Sequence, residues 1–477
     1  MLKRLHRYDG AFFTEKRGME TTKHSKWIDR HELKRLLALM FPLYVANLLH
    51  MGMGVTDTLV AGWKGDEELA AVAMGFSIAG TVTISVGAVL TILSAMISRL
   101  RGAGADSKAG LFLNNGKVLA ICLTLFEALV IYAASYVFWA TTDNADLAQQ
   151  AQYYTWFAML GIPANLLMRV IMANFEGYGQ TRPAMIVSFF GLLLNIPLNY
   201  ALVFGVGPFP ELGGAGCGLA TAIIMWLMTL MMLALMLGSK QHRARAKQML
   251  AIRRPEWALV RHILKLGIPV GVASLCEMSF FSLVTLVIAP LGETAVSSQQ
   301  VAINVSGIIF MLPLSLGIAA SIRAAYHVGG QRKEAFNAMV RTLFTITYAL
   351  VMLLMVCTIL FRENIVGLYT DSADIVRTAS TLLIYCAIYQ IADATQALMG
   401  GLLRGCHDTA IITWSNLTSY WLLGFPLSCI LIRTDWIVPA MGPAGAWVSF
   451  IIALTIAAVI LTSRFFYTRK ITFKPSP

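Results

Sequence analysis

Charged side chains are scarce in this sequence. Asp, Glu, Lys and Arg together make up 13% of its 477 residues, against about 25% in a soluble domain. Apolar residues reach 57%, more than a single soluble core could hide. Disordered, collagenous and disulfide-scaffold classes are excluded on the same composition. The seven cysteines (Cys122, Cys217, Cys276, Cys357, Cys386, Cys406 and Cys429) show no CxxC spacing. They are expected as small hydrophobes at packed positions. Catalytic signatures are missing as well. There is no GxxxxGK[ST] loop to bind ATP and no GxSxG elbow, and His31-Glu32 lacks a second His at zinc-protease spacing. Residues 1–35 hold basic residues but no apolar stretch of the signal-peptide kind, so they are expected to form an uncleaved cytosolic tail.

Long apolar runs are what the sequence does have. Twelve occur, at about 36–61, 69–97, 118–139, 152–175, 184–206, 216–238, 262–289, 296–319, 340–361, 379–402, 412–433 and 442–465. Each is long enough to cross a bilayer as a helix, and all are too long for the roughly 10-residue strands of a membrane barrel. Lipid offers the backbone no hydrogen-bond partner, so such runs must be helical. The net charge of +12 is topological. With the first helix entering from the cytosol, only Lys64, Arg362, Arg377 and Arg433 fall on outer segments, and Arg169 falls within a span. The rest of the Lys and Arg lie inside, as the positive-inside rule requires. Both termini are then cytosolic, and nucleic-acid binding is not expected.

The chain repeats itself. Pro42–Gly65 aligns with Pro269–Gly292, with identity at Pro42, Val45, Ala46, Leu48, Met51, Thr58, Leu59, Val60 and Gly65. The register continues, with Gly177 and Thr181 matching Gly405 and Thr409, and Gly213-Gly214-Ala215-Gly216 matching Gly442-Pro443-Ala444-Gly445. The fold class is therefore an all-α polytopic membrane protein of twelve transmembrane helices in two six-helix repeats. Six crossings return the chain to the same side, so the repeats are parallel. Transporters built this way place substrate near the repeat interface and rock one half against the other. The expected organisation is a tail at 1–35, an N-lobe at 36–238, a cytosolic connector at 239–261, a C-lobe at 262–465 and a second tail at 466–477. Pro42, Pro163, Pro197, Pro269, Pro313 and Pro426 sit inside apolar runs and are candidate kinks.

Ionisable groups in hydrocarbon are costly, so each calls for a partner or a function. Asp57 lies in the small-residue stretch Gly54–Gly62, near the outer end of the first run. Asn195 and Asn199 are four apart on one helical face, with Pro197 between them. Two amides and a carboxylate supply oxygens that suit a hard cation such as Na⁺. Glu277 and Asp393 each lie midway along an apolar run, and Tyr389 shares a face with Asp393. Two such acids close together would repel, and a proton or Na⁺ would relieve the repulsion. In the repeat alignment His50 takes the place of Glu277, Val284 that of Asp57, and Asn165 that of Asp393. His50 could titrate near neutral pH, but is read first as a packed or cavity-lining histidine. Glu127 is expected to face Arg169 or a lipid headgroup. The outer acids Glu363, Asp371 and Asp374 are expected to be solvated, although they could attract cationic compounds. The Gly213–Gly218 run follows a membrane helix instead of a strand, so it is read as a tight turn and not a nucleotide loop.

Gly52–Gly62, Gly191–Asn199 and Pro210–Gly218 resemble signature segments of the multidrug and toxic compound extrusion (MATE) family, NorM branch. So do the segments around Glu277, Arg323, Asp393 and Leu402–Gly405. The resemblance covers about residues 33–465. It implies two six-helix lobes, a multi-pass protein of the cell inner membrane, and export of cationic amphipathic compounds by antiport with Na⁺ or H⁺. It matches the family's first-helix acid to Asp57, with Asn195, Asn199 and Thr221 as partners. The second-lobe cation site would be Glu277, Tyr389 and Asp393. Phe310 stands where some members have a tyrosine near substrate; together with Asp57, His50 and Asp371 it completes the expected substrate-binding set. No organic cofactor is implied, only the coupling ion, and a monomer is expected. The alternative is a flippase for lipid-linked oligosaccharides, whose anionic substrate would call for intramembrane cations where acids dominate here.

Overall fold

A computed structural model describes residues 28–436 and 438–473. Most of the expected N-terminal tail and the last residues of the C-terminal one lie outside these. Every long apolar run becomes helix. The membrane helices are α1 (Arg30–Lys64), α2 (Asp66–Gly102), α3 (Asp106–Thr141), α4 (the pair Ala145–Met159 and Ile162–Gly177), α5 (Arg182–Phe204) and α6 (Ala215–Gly238). The second copy supplies α7 (Trp257–Leu291), α8 (Glu293–Gly329), α9 (Lys333–Leu360), α10 (Ala373–Gly405), α11 (Ala410–Arg433) and α12 (Pro443–Thr472). Eleven are long and apolar enough to span by themselves, and α4 makes a twelfth if its two pieces, bent by 41°, count as one. The bend falls at Leu160-Gly161, with Pro163 in the first turn of the second piece, where its missing N–H costs nothing. Gly161 is required there, since a Cβ would lie 2.9 Å from the Cα of Ala222 on α6.

Large apolar side chains such as Leu125, Leu129, Leu360 and Leu422 remain exposed along these helices. In a soluble protein that pattern would be a liability, whereas on a spanning helix it is the lipid-facing side.

The chain divides into two compact units. One holds the described residues up to Met40, Ser98–Ala105 and the chain from Cys276 onward; the other holds Phe41–Ile97 and Asp106–Leu275. These limits depart from the expected lobes at 36–238 and 262–465. The first half of α7 packs with the unit of α2–α6, because Gly267 and Gly271 lie against the backbone of α2. A Cβ on Gly267 would stand 2.3 Å from the carbonyl oxygen of Val89. The connector is docked as well. Its short helix Arg243–Leu250 ends where Asn114 Nδ2 donates to the carbonyls of Gln248, Met249 and Ala251 at 3.2, 3.1 and 2.8 Å, satisfying groups a helix end leaves open.

The repeat reaches into the backbone. Gly179 and His407, one repeat apart, both have positive φ (75° and 62°), as do Gly104 and Gln331 (73° and 52°) and Gly213 and Gly442 (60° and 58°). Gly213 and Gly214 form the expected tight turn, in which the Gly214 N–H donates to the Glu68 carboxylate. Beyond it, a Cβ on Gly216 would lie 2.8 Å from the Leu202 carbonyl oxygen.

Candidate functional site

The α2–α6 unit builds its site around Asp57. Gly52 and Gly54 thin α1 on the turns before it, and α1 passes close to Leu192 of α5. The carboxylate is buried and three side chains donate to it. Asn199 Nδ2 and Asn195 Nδ2 reach Oδ1 at 2.7 and 3.3 Å, and Thr221 Oγ1 reaches Oδ2 at 2.9 Å. Both asparagines are fully buried. Their spacing brings them to one acid from successive turns of α5, and Pro197 between them removes one backbone donor. With their N–H groups spent on Asp57, Asn195 Oδ1 and Asn199 Oδ1 are left buried without a partner. Orphaned buried acceptors are rare and call for an explanation. Here they add two hard oxygens beside a carboxylate and a hydroxyl, a donor set that fits a small monovalent cation. Among the described residues no cluster of three or more His, Cys, Asp or Glu offers a transition-metal site.

The other unit gathers α7, α10 and α11 around two acids. Gln396 hydrogen-bonds the Glu277 carboxylate, and Arg404 acts on the same group electrostatically. Tyr389 hydrogen-bonds Asp393, and Glu277 and Asp393 feel each other's charge. Asp393 Oδ1 is buried and unpartnered. Tyr389 is held edge-on to Trp447, ring centres 5.6 Å apart. Behind the acids α11 widens into a π-helix over Leu417–Gly424, a form frequent at functional sites. It seats Tyr420 flat on Phe280 at 5.3 Å, beside both carboxylates. Just ahead of it, Asn416 Oδ1 accepts from Gln396 Nε2 at 3.4 Å.

The structure thus brings Asp57, Asn195, Asn199 and Thr221 into one set, and Glu277, Tyr389 and Asp393 into another. His50 joins neither, since its Nδ1 meets Ser188 Oγ at 3.3 Å, two turns along α1 from Asp57. Phe310 is half-buried on α8, and Asp371 is exposed in the segment before α10. Neither is hydrogen-bonded to the acids of its unit among the described residues. Glu127 is buried at the level of lipid-facing neighbours, which excludes the headgroup alternative. Sequence reasoning missed Gln396, Asn416, Tyr420 and Arg404. Gln396 had a signal, lying three residues after Asp393 and seven after Tyr389 on their face of α10. Tyr420 had none, because a π-helix shifts the periodicity by which faces are read.

Comparison with known proteins follows the same lines. The MatE family profile matches residues 42–201 and 269–430, once in each copy of the repeat. Multidrug resistance protein MdtK of Yersinia pestis is 38% identical over 445 residues, covering 92% of this chain and 96% of its own. The protein of the same name from Proteus mirabilis is 37% identical over 442 residues with the same coverage. Among solved structures, the eukaryotic MATE transporter AtDTX14 superposes with a TM-score of 0.83 at 19% identity, over 93% of this chain and 98% of that one. At that identity the likeness is one of fold.

Proposed function

The chain belongs to the MATE family of multidrug and toxic compound extrusion transporters, and from that premise we propose that it exports cationic, amphipathic compounds across the cell inner membrane in exchange for Na⁺ or H⁺. As a member of a transporter family it is not an enzyme. The observation that carries the coupling is the Asp57 set, a buried carboxylate with three donors on it and two unpartnered amide oxygens beside it. Asp57, Asn195, Asn199 and Thr221 would hold the cation in one unit, and Glu277 and Asp393, with Tyr389 and Gln396, in the other. The bound ion neutralises the acid and so reduces its attraction for a cationic drug. Linkage makes the effect mutual: whatever factor the ion takes from drug affinity, the drug takes from ion affinity, commonly about 5–150-fold. Inward ion flow then drives drug outward without ATP, which suits a chain that lacks a phosphate-binding loop. The positive-inside pattern of Lys and Arg supports cytosolic termini.

The test is ethidium movement in proteoliposomes under an imposed Na⁺ gradient and, separately, a pH gradient. Dye movement driven by one gradient and lost in Asp57→Asn or Asp393→Asn supports the antiporter and names its ion. Movement that survives every acid substitution refutes these site assignments. No movement of a broad cation panel under either gradient, with folded protein, refutes the antiport itself.

A further inference from the structure

The α2–α6 unit contains a second buried acid that the Asp57 set does not use. Glu127 on α3 is 0% exposed, while Leu125 and Leu129 of the same helix are 71% and 67% exposed to the lipid side. The carboxyl therefore lies at hydrocarbon depth and faces into the unit. One oxygen has a donor, since Thr83 Oγ1 of α2 reaches Oε1 at 2.6 Å. The other, Oε2, is buried without a partner. Arg169 of α4 influences it electrostatically, but among the described residues the two form no salt bridge. The reason is geometric. Arg169 packs on α2 at Gly87, where a Cβ would lie 2.8 Å from its Nε. Gly87 is one turn beyond Thr83, about 5.4 Å along the axis. The guanidinium is thus held a turn away from the acid, and its Nε is itself buried and unpartnered.

We propose that Glu127 is a proton-binding site of its own, carrying an exchangeable proton on Oε2 while Oε1 accepts from Thr83. A carboxylate with one hydrogen bond and no contact ion pair is a costly group in hydrocarbon, and a neutral carboxyl is not. The ligand is a proton and not a metal cation, because Glu127 and Thr83 supply too few oxygens for Na⁺, whereas Asp57 is ringed by several. The charged groups around the acid are few. Arg169 and Glu176 of α4 lie on one side, and His50 of α1 lies beyond Arg169 within reach of its charge. The ionisable residues of α2 sit at its ends, Asp66, Glu67 and Glu68 in its first turn and Arg99 and Arg101 in its last. Those of the first piece of α4 are Asp146, Tyr153 and Tyr154, the last lying by Asp57. The site goes beyond the antiport reading and does not rest on it.

The test is infrared titration of the purified full-length protein, subtracting Glu127→Gln from wild type. The expected result is a protonated-carboxyl C=O band at acidic pH, absent in the variant, that gives way reversibly to carboxylate bands as pH rises. Thr83→Val should move the band to higher frequency by removing the hydrogen bond to that carbonyl, and this keeps the test valid if Glu127→Gln fails to fold. Asp57→Asn should leave the band in place. A carboxylate signal at every pH overturns the proposal. So does a neutral acid that never titrates while the fold survives, or a band abolished by Na⁺ at constant pH. Because only binding is read, failure of drug antiport leaves this result standing, and the converse holds.

Discussion

The strongest steric prediction concerns Gly102 and Gly329, which correspond in the two copies of the repeat. A Cβ on Gly329 would stand 2.0 Å from the carbonyl oxygen of Arg99 and 2.9 Å from its carbon; one on Gly102 would stand 2.0 Å from the Tyr326 oxygen and 2.9 Å from its carbon. Arg99 and Tyr326 are themselves one repeat apart, so the ends of α2 and α8 meet reciprocally. The obstacle in each case is backbone, which cannot rotate away as a side chain can. Relieving a 2.0 Å approach means moving two helix ends apart by more than about 1 Å, and overpacking of this kind costs about 1–3 kcal/mol. Weak Cα–H···O contacts across the crossing, about 0.5–1 kcal/mol each, would be lost with it. Gly329→Ala and Gly102→Ala should each lower the thermal unfolding midpoint of the purified protein. The double variant should fall by less than the sum, because once the backbones have separated the second methyl finds room. Gly400→Ala is the control. It lies inside α10 with nothing within 4 Å of its Cβ position, and replacing an interior helix glycine gains about 0.5–1 kcal/mol. A Gly329→Ala protein as stable as wild type, or a strictly additive double variant, would refute the close crossing.

Three further outcomes follow from the geometry. Glu32 is buried and grips Arg323 through two oxygens, with Nε to Oε2 at 3.0 Å, and His327 Nε2 lies 3.3 Å from Oε1. Glu32→Gln should therefore destabilise by about 3–5 kcal/mol in denaturant titration, while replacing Glu32 and Arg323 together with Met should cost far less. His242 is fully buried in the connector. Its Nε2 donates to Gln180 at 2.9 Å, and its Nδ1 accepts from Asn174 and Arg245 at 3.0 and 2.7 Å. Burial first, then Arg245, pushes its pKa down from 6.5 to about 4. The unfolded chain binds that proton earlier, so stability should fall as pH drops from about 6.5 to about 4, then level off; His242→Gln should flatten the slope in melts across that window. Tyr420→Ala should weaken gradient-driven ethidium transport by loosening the π-helical wall of the Glu277–Asp393 site, and transport at wild-type rate would count against that wall.

What could be read from the sequence was whatever lipid forces on a chain. A span must show some twenty apolar residues, so all twelve runs were visible, and an acid inside one stands out, so Asp57, Glu277 and Asp393 were visible too. Asn195 and Asn199 could be paired because a helix puts residues four apart on one face. Interruptions were invisible, since hydropathy does not register them. The run at 152–175 reads straight through the bend at Leu160-Gly161, and the run at 412–433 reads straight through the π-helix. There Pro426, two residues past the segment, has no N–H for the carbonyl of Leu422, a local cause that a hydropathy window averages out. The stretch between the repeats read only as a cytosolic connector because the sequence shows its charges but not Asn114, which lies 129 residues before Arg243 in the chain and ties down the short helix that Arg243 begins.

The two copies keep a common backbone while their chemistry diverges, and the divergence is ordered. Positive-φ positions recur one repeat apart even where glycine has been replaced. At His407 the backbone keeps the conformation its counterpart Gly179 adopts freely, and the imidazole Nδ1 meets Arg99 Nη1 at 2.8 Å, a contact that glycine could not make. The intramembrane acids do the opposite. Asp57 faces Val284 in the repeat alignment, Glu277 faces His50, and Asp393 faces Asn165, so no acid of one set is duplicated in the other. Their surroundings differ in kind. Asp57 stands alone among three neutral donors, whereas Glu277 and Asp393 stand together with an arginine and two phenols beside them. On the antiport reading, a lone acid among amide oxygens and a pair of acids that feel each other's charge would be different devices for holding a cation. A repeated chain carrying two unlike sites would then couple its ion in one half without repeating it in the other.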